Sequence, residues 1–244
     1  MTQIVPHNPL EGNQPEFTIN LHDGSEEQIS IVIVHKDRPA YLGICLQSID
    51  VTSFNYNYEI IVVDNGSGPE SQEFLNDIQN DVKVIRNEKN LYWSEAANKG
   101  AAAVDKNSKY IIFMHCDVVI LNPTWMDLLI NVCESQSSGF VGVELQSYMM
   151  QNQKVDFVQE WLCMFTRECW KDIGPWPEKL PQVGQSFIMT IKGQQKGYKP
   201  QIMKNQIAHH YRIFSLDVNE YEKLVEQSMA QMPKLISDIN SRAV

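Results

Sequence analysis

The chain has 244 residues, and its hydrophobic fraction of 43% is enough to fill the core of one large α/β domain or two small ones. Its 30 acidic residues outnumber its 20 basic residues, and the resulting net charge of -10 repels phosphate backbones and anionic membranes. We therefore expect no nucleic-acid partner. The five cysteines have no regular spacing and several lie in apolar runs, which is typical of reduced thiols in a core and predicts a cytoplasmic location.

The sequence also bears on membranes and on domain boundaries. Its N-terminus lacks a signal pattern and no apolar run approaches about 18 residues, so we expect a soluble protein with no transmembrane segment. Residues 1–28 are rich in proline and glycine without periodicity, and we interpret them as an N-terminal arm. An α/β domain is predicted over 29–215.

A C-terminal helical appendage is predicted over 216–244, because apolar residues recur there at helical spacing. Pro233 should kink this helix. An apolar stripe along one face of a helix usually packs on the helix's own domain. The alternatives are a contact between two copies in a homo-oligomer and a peripheral membrane helix, and the scarcity of Lys and Arg in this helix disfavours the membrane alternative.

Strands and helices alternate between these two ends. Continuous β-branched runs at 29–34 and 58–63 predict strands that are covered on both faces of a parallel sheet, and Pro39 suits the first turn of a helix between them. Further helices are predicted at 70–79 and 94–104, and further strands at 82–85, 110–114 and 139–143. This order predicts an open, mostly parallel mixed sheet flanked by helices, with its binding site beyond the carboxyl ends of the strands.

Two of the predicted strands end in side chains that suit a ligand. Asp64 ends the second strand and could accept hydrogen bonds from a base or ribose, while Gly66 lets the backbone come close; an ordinary turn is the alternative. His115 and Asp117 follow the strand at 110–114. Two residues apart in an extended segment, they can face one Mg²⁺ or Mn²⁺ ion; a hydrogen-bonded structural histidine is the alternative for His115.

The segment from 86 to 100 contributes a third candidate. Ser94 is predicted as the N-cap of a helix. The exposed amides of that helix start, together with Lys99, could help to hold an anionic phosphate. A capped and solvated helix start explains the pattern equally well.

In this order and spacing, the motifs resemble those of the family 2 glycosyltransferases. The shared features are an Ile-Val-Ile-Val strand, a Val-Val-Asp-Asn-Gly-Ser turn, an Arg-Asn-x-x-Asn segment and an apolar strand that ends in a triplet similar to Asp-x-Asp. The match covers 29–125 and, more faintly, 157–212. The resemblance implies a GT-A (Rossmann-like) fold that binds a nucleotide-sugar donor. The donor-binding residues expected on this basis are Val34, His35, Asp37, Arg38, Asp64, Asn90, Lys99 and Cys116.

The resemblance further implies transfer of the sugar to an acceptor hydroxyl by inverting, metal-assisted displacement, with a glycan, protein or lipid-linked acceptor. Asp117 matches the last aspartate of the metal triplet, but His115 replaces the first. The resemblance also implies a histidine after the Gly-Tyr that completes the metal or diphosphate site. Adjacent strand residues point to opposite faces, so only one of His209 and His210 can do so, and we assign His209. Trp161 and Trp176 are assigned to stack on the acceptor sugar, with core packing as the alternative.

The position of the catalytic base differs more seriously from the family. The family's inverting members have an acidic pair about a dozen residues before a Gly-Tyr, and here Gln185 and Ser186 stand at that place. Neither can act as a base. The nearest substitutes in the sequence are Glu160, Asp156 and Glu178, each of which we expect to be a solvated surface acid.

Two other functions therefore remain open. One is a catalytically silent module that binds a nucleotide sugar or glycan on the same fold. The other is a nucleotidyltransferase, which ranks last because the basic segment after the first strand contains no glycine.

Overall fold

The computed structural model describes residues 28–53, 55–135, 138–150, 153–203, 206–212 and 218–241. The predicted N-terminal arm lies outside the described residues, apart from Gln28, which begins the first strand. The strands are β1 (Gln28–His35), β2 (Asn57–Asp64), β3 (Lys83–Arg86), β4 (Tyr110–His115), β5 (Val118–Ile120), β6 (Phe140–Gly142), β7 (Leu145–Met150), β8 (Gln153–Val158), β9 (Leu162–Thr166), β10 (Gln201–Ile202) and β11 (Ala208–His210). The helices are α1 (Pro39–Thr52), α2 (Pro69–Ile78), α3 (Tyr92–Ala102), α4 (Trp125–Glu134), α5 (Arg167–Ile173), α6 (Gln185–Gln195) and α7 (Val218–Ser241).

A seven-stranded sheet, ordered β10-β6-β9-β4-β1-β2-β3, forms the centre of the molecule. Strands β3, β2, β1 and β4 are mutually parallel, whereas β9 runs antiparallel to both β4 and β6. Two antiparallel pairs, β5 with β11 and β7 with β8, lie outside this sheet. The predicted fold class, an open and mostly parallel mixed sheet flanked by helices, is confirmed.

Helices cover both faces of the parallel half, which explains why its strands are apolar at successive positions. Alternate residues of β1, such as Ile31 and Ile33, pack with α1 and α4, and Val32 packs on the opposite face with α3. Gly100 makes the close approach of α3 possible, since a Cβ atom there would come within 2.3 Å of Val32 Cγ1. Helix α3 therefore lies directly against β1, with its first turn at the carboxyl end of the sheet.

The predicted elements lie within a few residues of the observed ones, with one local error. Helix α3 begins at Tyr92 with Leu91 as its N-cap residue. Ser94 therefore lies inside the first turn, where its hydroxyl donates to the carbonyl of Leu180, and the prediction of Ser94 as the N-cap is wrong.

Helix α7 packs on its own domain. Met232 is buried, and Leu235, Ile236 and Ile239 lie with it against apolar residues of α6. This packing supports the interpretation that the apolar stripe packs on its own domain. The division of the chain into a domain and a helical appendage stays a prediction. Within the described residues, no helix is both long enough and apolar enough to span a bilayer.

Candidate active site

A cleft opens at the carboxyl ends of β1, β2 and β4, where the alternation of strands and helices places it. Its floor includes Val34 from β1 and the turn that follows β4. Its walls come from the loop after β2, the start of α3, and the segments before β9 and α6. The lining residues are Val34, Lys36, Arg38, Asn65, Asn90, Tyr92, Trp93, His115, Cys116, Asp117, Glu160, Gln182 and Gln185.

A cluster of three potential metal ligands borders this cleft, and two of them, His115 and Asp117, line it. His115 ends β4, Asp117 follows two residues later, and His210 ends β11. One ligand atom from each lies within 4.8 Å of the other two, and His210 Nε2 is 3.2 Å from Asp117 Oδ1. These three residues would hold a single divalent ion, since carboxylate oxygen and imidazole nitrogen are both ligands of such ions.

The protonation of His115 suits a metal ligand. Burial, followed by the neighbouring imidazole of His210, lowers the pKa of His115 to about 3, so the ring is neutral at physiological pH. Neutral imidazole is the form that binds metal ions. The Nε2 atom of His115 is buried and has no hydrogen-bond partner among the described residues. An unsatisfied buried nitrogen beside a carboxylate and a second imidazole fits a bound cation, which would satisfy it.

The ring of His210 is held by packing. Trp161 stacks on it with ring centroids 5.0 Å apart and planes 17° apart. The indole Nε1 of Trp161 donates to Glu144 Oε2 at 2.6 Å, and Arg212 Nη2 donates to the other oxygen of Glu144 at 2.9 Å. Trp161, which we assigned to the acceptor, is 8% exposed, and its indole packs against one face of the His210 ring.

The assignment of His209 to the metal site needs correction. Antiparallel pairing places His210 opposite Val118 and His209 opposite Val119, so the two side chains point to opposite faces. His209 is exposed and contacts the Tyr211 ring edge to face. The structure places His210 beside Asp117 in its stead.

Four of the expected donor-binding residues line the cleft, namely Val34, Arg38, Asn90 and Cys116. Burial, and then the charge of Asp117, raises the pKa of the Cys116 thiol to about 12, so this thiol is neutral. Sequence reasoning missed Lys36, whose Nζ donates to the carbonyl of Gly66 at 3.1 Å and to Asp37 at 2.7 Å. The run of basic residues after β1 was the signal that pointed to it.

The amide of Asn65 was also missed. Its Nδ2 donates to Asn90 Oδ1 at 2.8 Å, and its Oδ1 accepts from Asn87 Nδ2 and from the backbone N–H of Leu91. These bonds fix the loop after β3 against the loop after β2. The conformation of the donor side of the cleft therefore depends on this one amide.

The other four expected donor residues support the cleft without lining it. Asp64 is fully buried and accepts from the backbone N–H of Ser67 and from Gln72 Nε2. His35 is buried with its Nε2 3.1 Å from Ser71 Oγ. Asp37 accepts from the backbone N–H of Gly68 at 2.6 Å, and Lys99 donates to Asn87 Oδ1 at 2.9 Å. These contacts hold the loops beside the cleft in place, and direct contact of the four residues with a donor stays a prediction.

The position of the family's acidic pair lies at the start of α6. Gln185 and Ser186 are both 1% exposed and form the first turn after Gly184. Glu160 faces them: its Oε2 accepts from Ser186 Oγ at 2.7 Å, and its Oε1 from Gln185 Nε2 at 3.4 Å. The expectation of a solvated surface acid is wrong for Glu160, because the residue is partly buried and its carboxylate accepts two side-chain hydrogen bonds at the cleft. Asp156 and Glu178 are exposed, as expected.

Trp176 also differs from its assignment. It is 1% exposed and packs edge to face on Phe113 and Phe165 in the core beneath α3. A side chain in this position cannot stack on a sugar, so the alternative of core packing holds for Trp176. Trp93 lies between this core and the cleft, 4.5 Å from the ring of His115.

A model of the family described as glycosyl transferase family 2 matches residues 30–179, which is more than half of the chain. The chain belongs to glycosyl transferase family 2. Among curated proteins, it is 25% identical over 122 residues to the O-antigen biosynthesis protein RfbC of Myxococcus xanthus, covering 48% of this chain and 9% of that protein. It is 28% identical over 100 residues to the hyaluronan synthase of Pasteurella multocida, covering 40% of this chain and 10% of that protein. The chain thus spans about a tenth of the length of these relatives.

Solved structures of the same fold bear out the architecture. A mannosyltransferase from Pyrobaculum calidifontis, in complex with GDP-Man and Mn²⁺, superposes with a TM-score of 0.64 at 11% identity, covering 87% of this chain and 66% of that one. GalNAc-T7 with UDP, GalNAc and Mn²⁺ superposes with a TM-score of 0.65 at 17% identity, covering 84% of this chain and 48% of that one. The fold is therefore GT-A.

Proposed function

We propose that this protein transfers a sugar from a nucleotide-sugar donor to an acceptor hydroxyl, by inverting displacement at the cleft. The observation that carries the proposal is the cluster of His115, Asp117 and His210, which borders the cleft that Lys36 and Arg38 also line. A diphosphate needs compensating positive charge, and this cleft has two cationic side chains in its lining and a cluster of three potential ligands of a divalent ion at its border. Membership in glycosyl transferase family 2 makes a sugar diphosphate the matching ligand.

A divalent ion held by these three residues would compensate the charge of the diphosphate as the bond to the sugar breaks. We favour Mn²⁺ over Mg²⁺, because two of the three ligands are imidazoles and Mg²⁺ prefers oxygen ligands. The Mn²⁺ complexes of the mannosyltransferase and of GalNAc-T7 support this choice.

The chain's own residues would position the rest of the donor. Lys36 and Arg38 follow β1 and would face the anionic part, while the hydrogen-bonded pair Asn65 and Asn90 lines the same cleft. Tyr92 and Trp93 close the cleft from the start of α3 and would exclude water from the diphosphate.

Binding of the donor can be tested by thermal unfolding with UDP-, GDP-, dTDP- and CMP-sugars, each with Mn²⁺, with Mg²⁺ or with EDTA. A ligand that binds only the folded state raises the unfolding temperature. We expect one donor class to stabilise the protein with Mn²⁺, and Asp117→Asn or His210→Ala to abolish the shift. His209→Ala is the matched control and should keep the full shift, because His209 is exposed on the other face of β11. Stabilisation by every donor regardless of metal would refute this metal site.

A catalytically silent binding module is the second candidate, and the loss of both acidic residues at Gln185 and Ser186 favours it. The two functions differ in turnover. Metal-dependent donor binding without release of nucleoside diphosphate, in the presence of glycan, protein or lipid-linked acceptors, would establish the silent module.

We also propose a cytoplasmic location, because five buried free thiols suit a reducing compartment. Homo-oligomerisation through α7 is testable by light scattering.

A further inference from the structure

We propose that Glu160 supplies the catalytic base that the start of α6 lacks, and that it serves an acceptor held in a second cavity behind the donor cleft. This inference rests on the proposed glycosyl transfer. It concerns a residue outside the family's usual base position, on a different element of the fold.

The first step of the argument is the position of the carboxylate. Glu160 lies between β8 and β9, and its Oε2 is 2.7 Å from Ser186 Oγ. Ser186 stands where the resemblance places the missing acid. The carboxylate of Glu160 accepts a hydrogen bond from Ser186, so it lies next to the position of that acid. The short side chain of Ser186 leaves room for it, and its hydroxyl, together with Gln185 Nε2, orients it.

The second step is that this carboxylate borders two cavities. Glu160 and Gln182 line the donor cleft and also a second cavity of about 300 Å³, which lies between β7, β8, the start of α6 and α7. This volume lies at the lower end of the range for small-molecule sites. A donor in the first cavity and an acceptor in the second would therefore meet at Glu160.

The third step concerns the chemistry of the second cavity. The amides of Gln146, Gln159 and Gln182 provide donors and acceptors of hydrogen bonds, and the rings of Phe157 and Tyr221 provide apolar surface. None of the described residues lining this cavity is Lys or Arg, and Glu160 contributes a carboxylate. A neutral saccharide matches amides and aromatic faces, whereas an anionic acceptor would meet this carboxylate without a compensating cation.

The reaction at this junction is a direct displacement. The acceptor hydroxyl oxygen attacks the anomeric carbon and forms the new glycosidic bond, while the bond from that carbon to the diphosphate oxygen breaks. The hydroxyl proton passes to the carboxylate of Glu160, and the electron pair of the broken bond leaves with the nucleoside diphosphate. Glu160 then loses the proton to solvent, which restores the base.

The electrostatic surroundings of Glu160 agree with this role. Burial raises the pKa of the carboxyl; Glu144 also raises it, while the hydrogen bonds from Ser186 and from the backbone and the imidazole of His210 oppose the rise. A carboxylate whose pKa is moved toward neutrality accepts a proton more readily than an ordinary one. The partial burial of Glu160 between the two cavities therefore favours its role as a base.

The decisive variant is Glu160→Gln, assayed with the donor and metal that give the largest thermal shift. The acceptors are neutral octyl glycosides, an anionic octyl glucuronide, and water alone. We expect kcat for release of nucleoside diphosphate to fall by about 10²- to 10⁴-fold with the neutral glycosides, while the donor dissociation constant is unchanged. Glu178→Gln removes an exposed carboxylate outside both cavities and should keep wild-type turnover. The glucuronide should be the poorest saccharide acceptor.

A double variant separates a base from a structural residue. In the double variant Glu160→Gln with Ser186→Asp, the carboxylate is at position 186 and the amide at position 160 can donate a hydrogen bond to it. We therefore expect part of the lost turnover to return. Failure of the single variant to lower kcat, or of the double variant to recover any of it, would overturn the assignment of Glu160. Donor binding by the wild type without any nucleoside diphosphate release would overturn it too. Absence of donor binding would instead sink the proposed function itself, which distinguishes the two failures.

Discussion

The buried histidine beneath the donor cleft should make the protein sensitive to mild acid. His35 is fully buried, its Nδ1 has no hydrogen-bond partner among the described residues, and burial is the main reason that its pKa falls to about 4. In the unfolded chain the pKa returns to its ordinary value of 6.5. A histidine whose pKa is lowered in the folded state has little effect on stability above pH 6.5 and increasingly destabilises the fold as the pH falls toward 4, because the unfolded chain binds the proton more tightly.

The size of the effect follows from the two pKa values. At about pH 5, protonation of this residue stabilises the unfolded chain by about 2.0 kcal/mol and the folded protein by only about 0.1 kcal/mol. At about pH 7.5 both contributions are close to zero. His35 alone should therefore lower the free energy of unfolding by about 2 kcal/mol between these two conditions.

Urea unfolding of the wild type and of His35→Gln, both in EDTA, would measure this contribution. The glutamine amide can keep a hydrogen bond to Ser71 but does not titrate. Other titrating groups are shared by the two proteins and cancel when the pH dependences are subtracted. The loss of stability on acidification should be smaller in the variant by about 2 kcal/mol. Equal losses in the two proteins would refute a neutral, desolvated His35.

Three further perturbations test the framework around the site. Gly66→Ala should cost at least about 2 kcal/mol and weaken donor binding, because Gly66 has φ 75° and the new Cβ would lie 2.5 Å from the carbonyl carbon of Lys89. Gly197→Ala is the matched control: φ is 86° but no atom lies within 4 Å, so denaturant unfolding should show a loss of only about 1 kcal/mol. Met232→Ala should cost about 2–4 kcal/mol and Met229→Ala, with its more exposed side chain, clearly less; equal losses would contradict the packing of α7 on α6. The five buried thiols should resist a thiol reagent in the native protein and react when it is unfolded; rapid native reaction would contradict their burial.

Much of the fold was predictable, because the parallel strands are short apolar runs whose burial on both faces shows in the sequence itself. The same regularity located the cleft, since polar residues directly after β2 and β4 meet at one edge of a sheet. His115 and Asp117 were correctly brought together because they are close in sequence and share one face of an extended segment. Periodicity predicted an open α/β sheet, and the resemblance to the family added the prediction of the GT-A fold.

The errors have a common physical origin in long-range pairing. The choice between His209 and His210 depends on the register of β11 against β5, and no local pattern fixes the register of a three-residue strand. The burial of Glu160 depends on the start of α6, which approaches from a distant part of the chain. The position of Trp176 depends on the packing of a whole aromatic cluster. Residues that belong to one site through tertiary contacts cannot be assigned from their sequence neighbours.

The hydrogen bond between Ser186 and Glu160 also restricts how positions 160 and 186 can have evolved. An ancestor with an aspartate at 186 and a glutamate at 160 would have held two carboxylates at close range, and one of them would have been forced to stay protonated. An ancestor with serine at 186 and no acid at 160 would have had no carboxylate at that place. Each single change is thus costly on its own, and we expect these two positions to have changed together. Homologues should retain either the acid on the helix or the acid before β9, and rarely both.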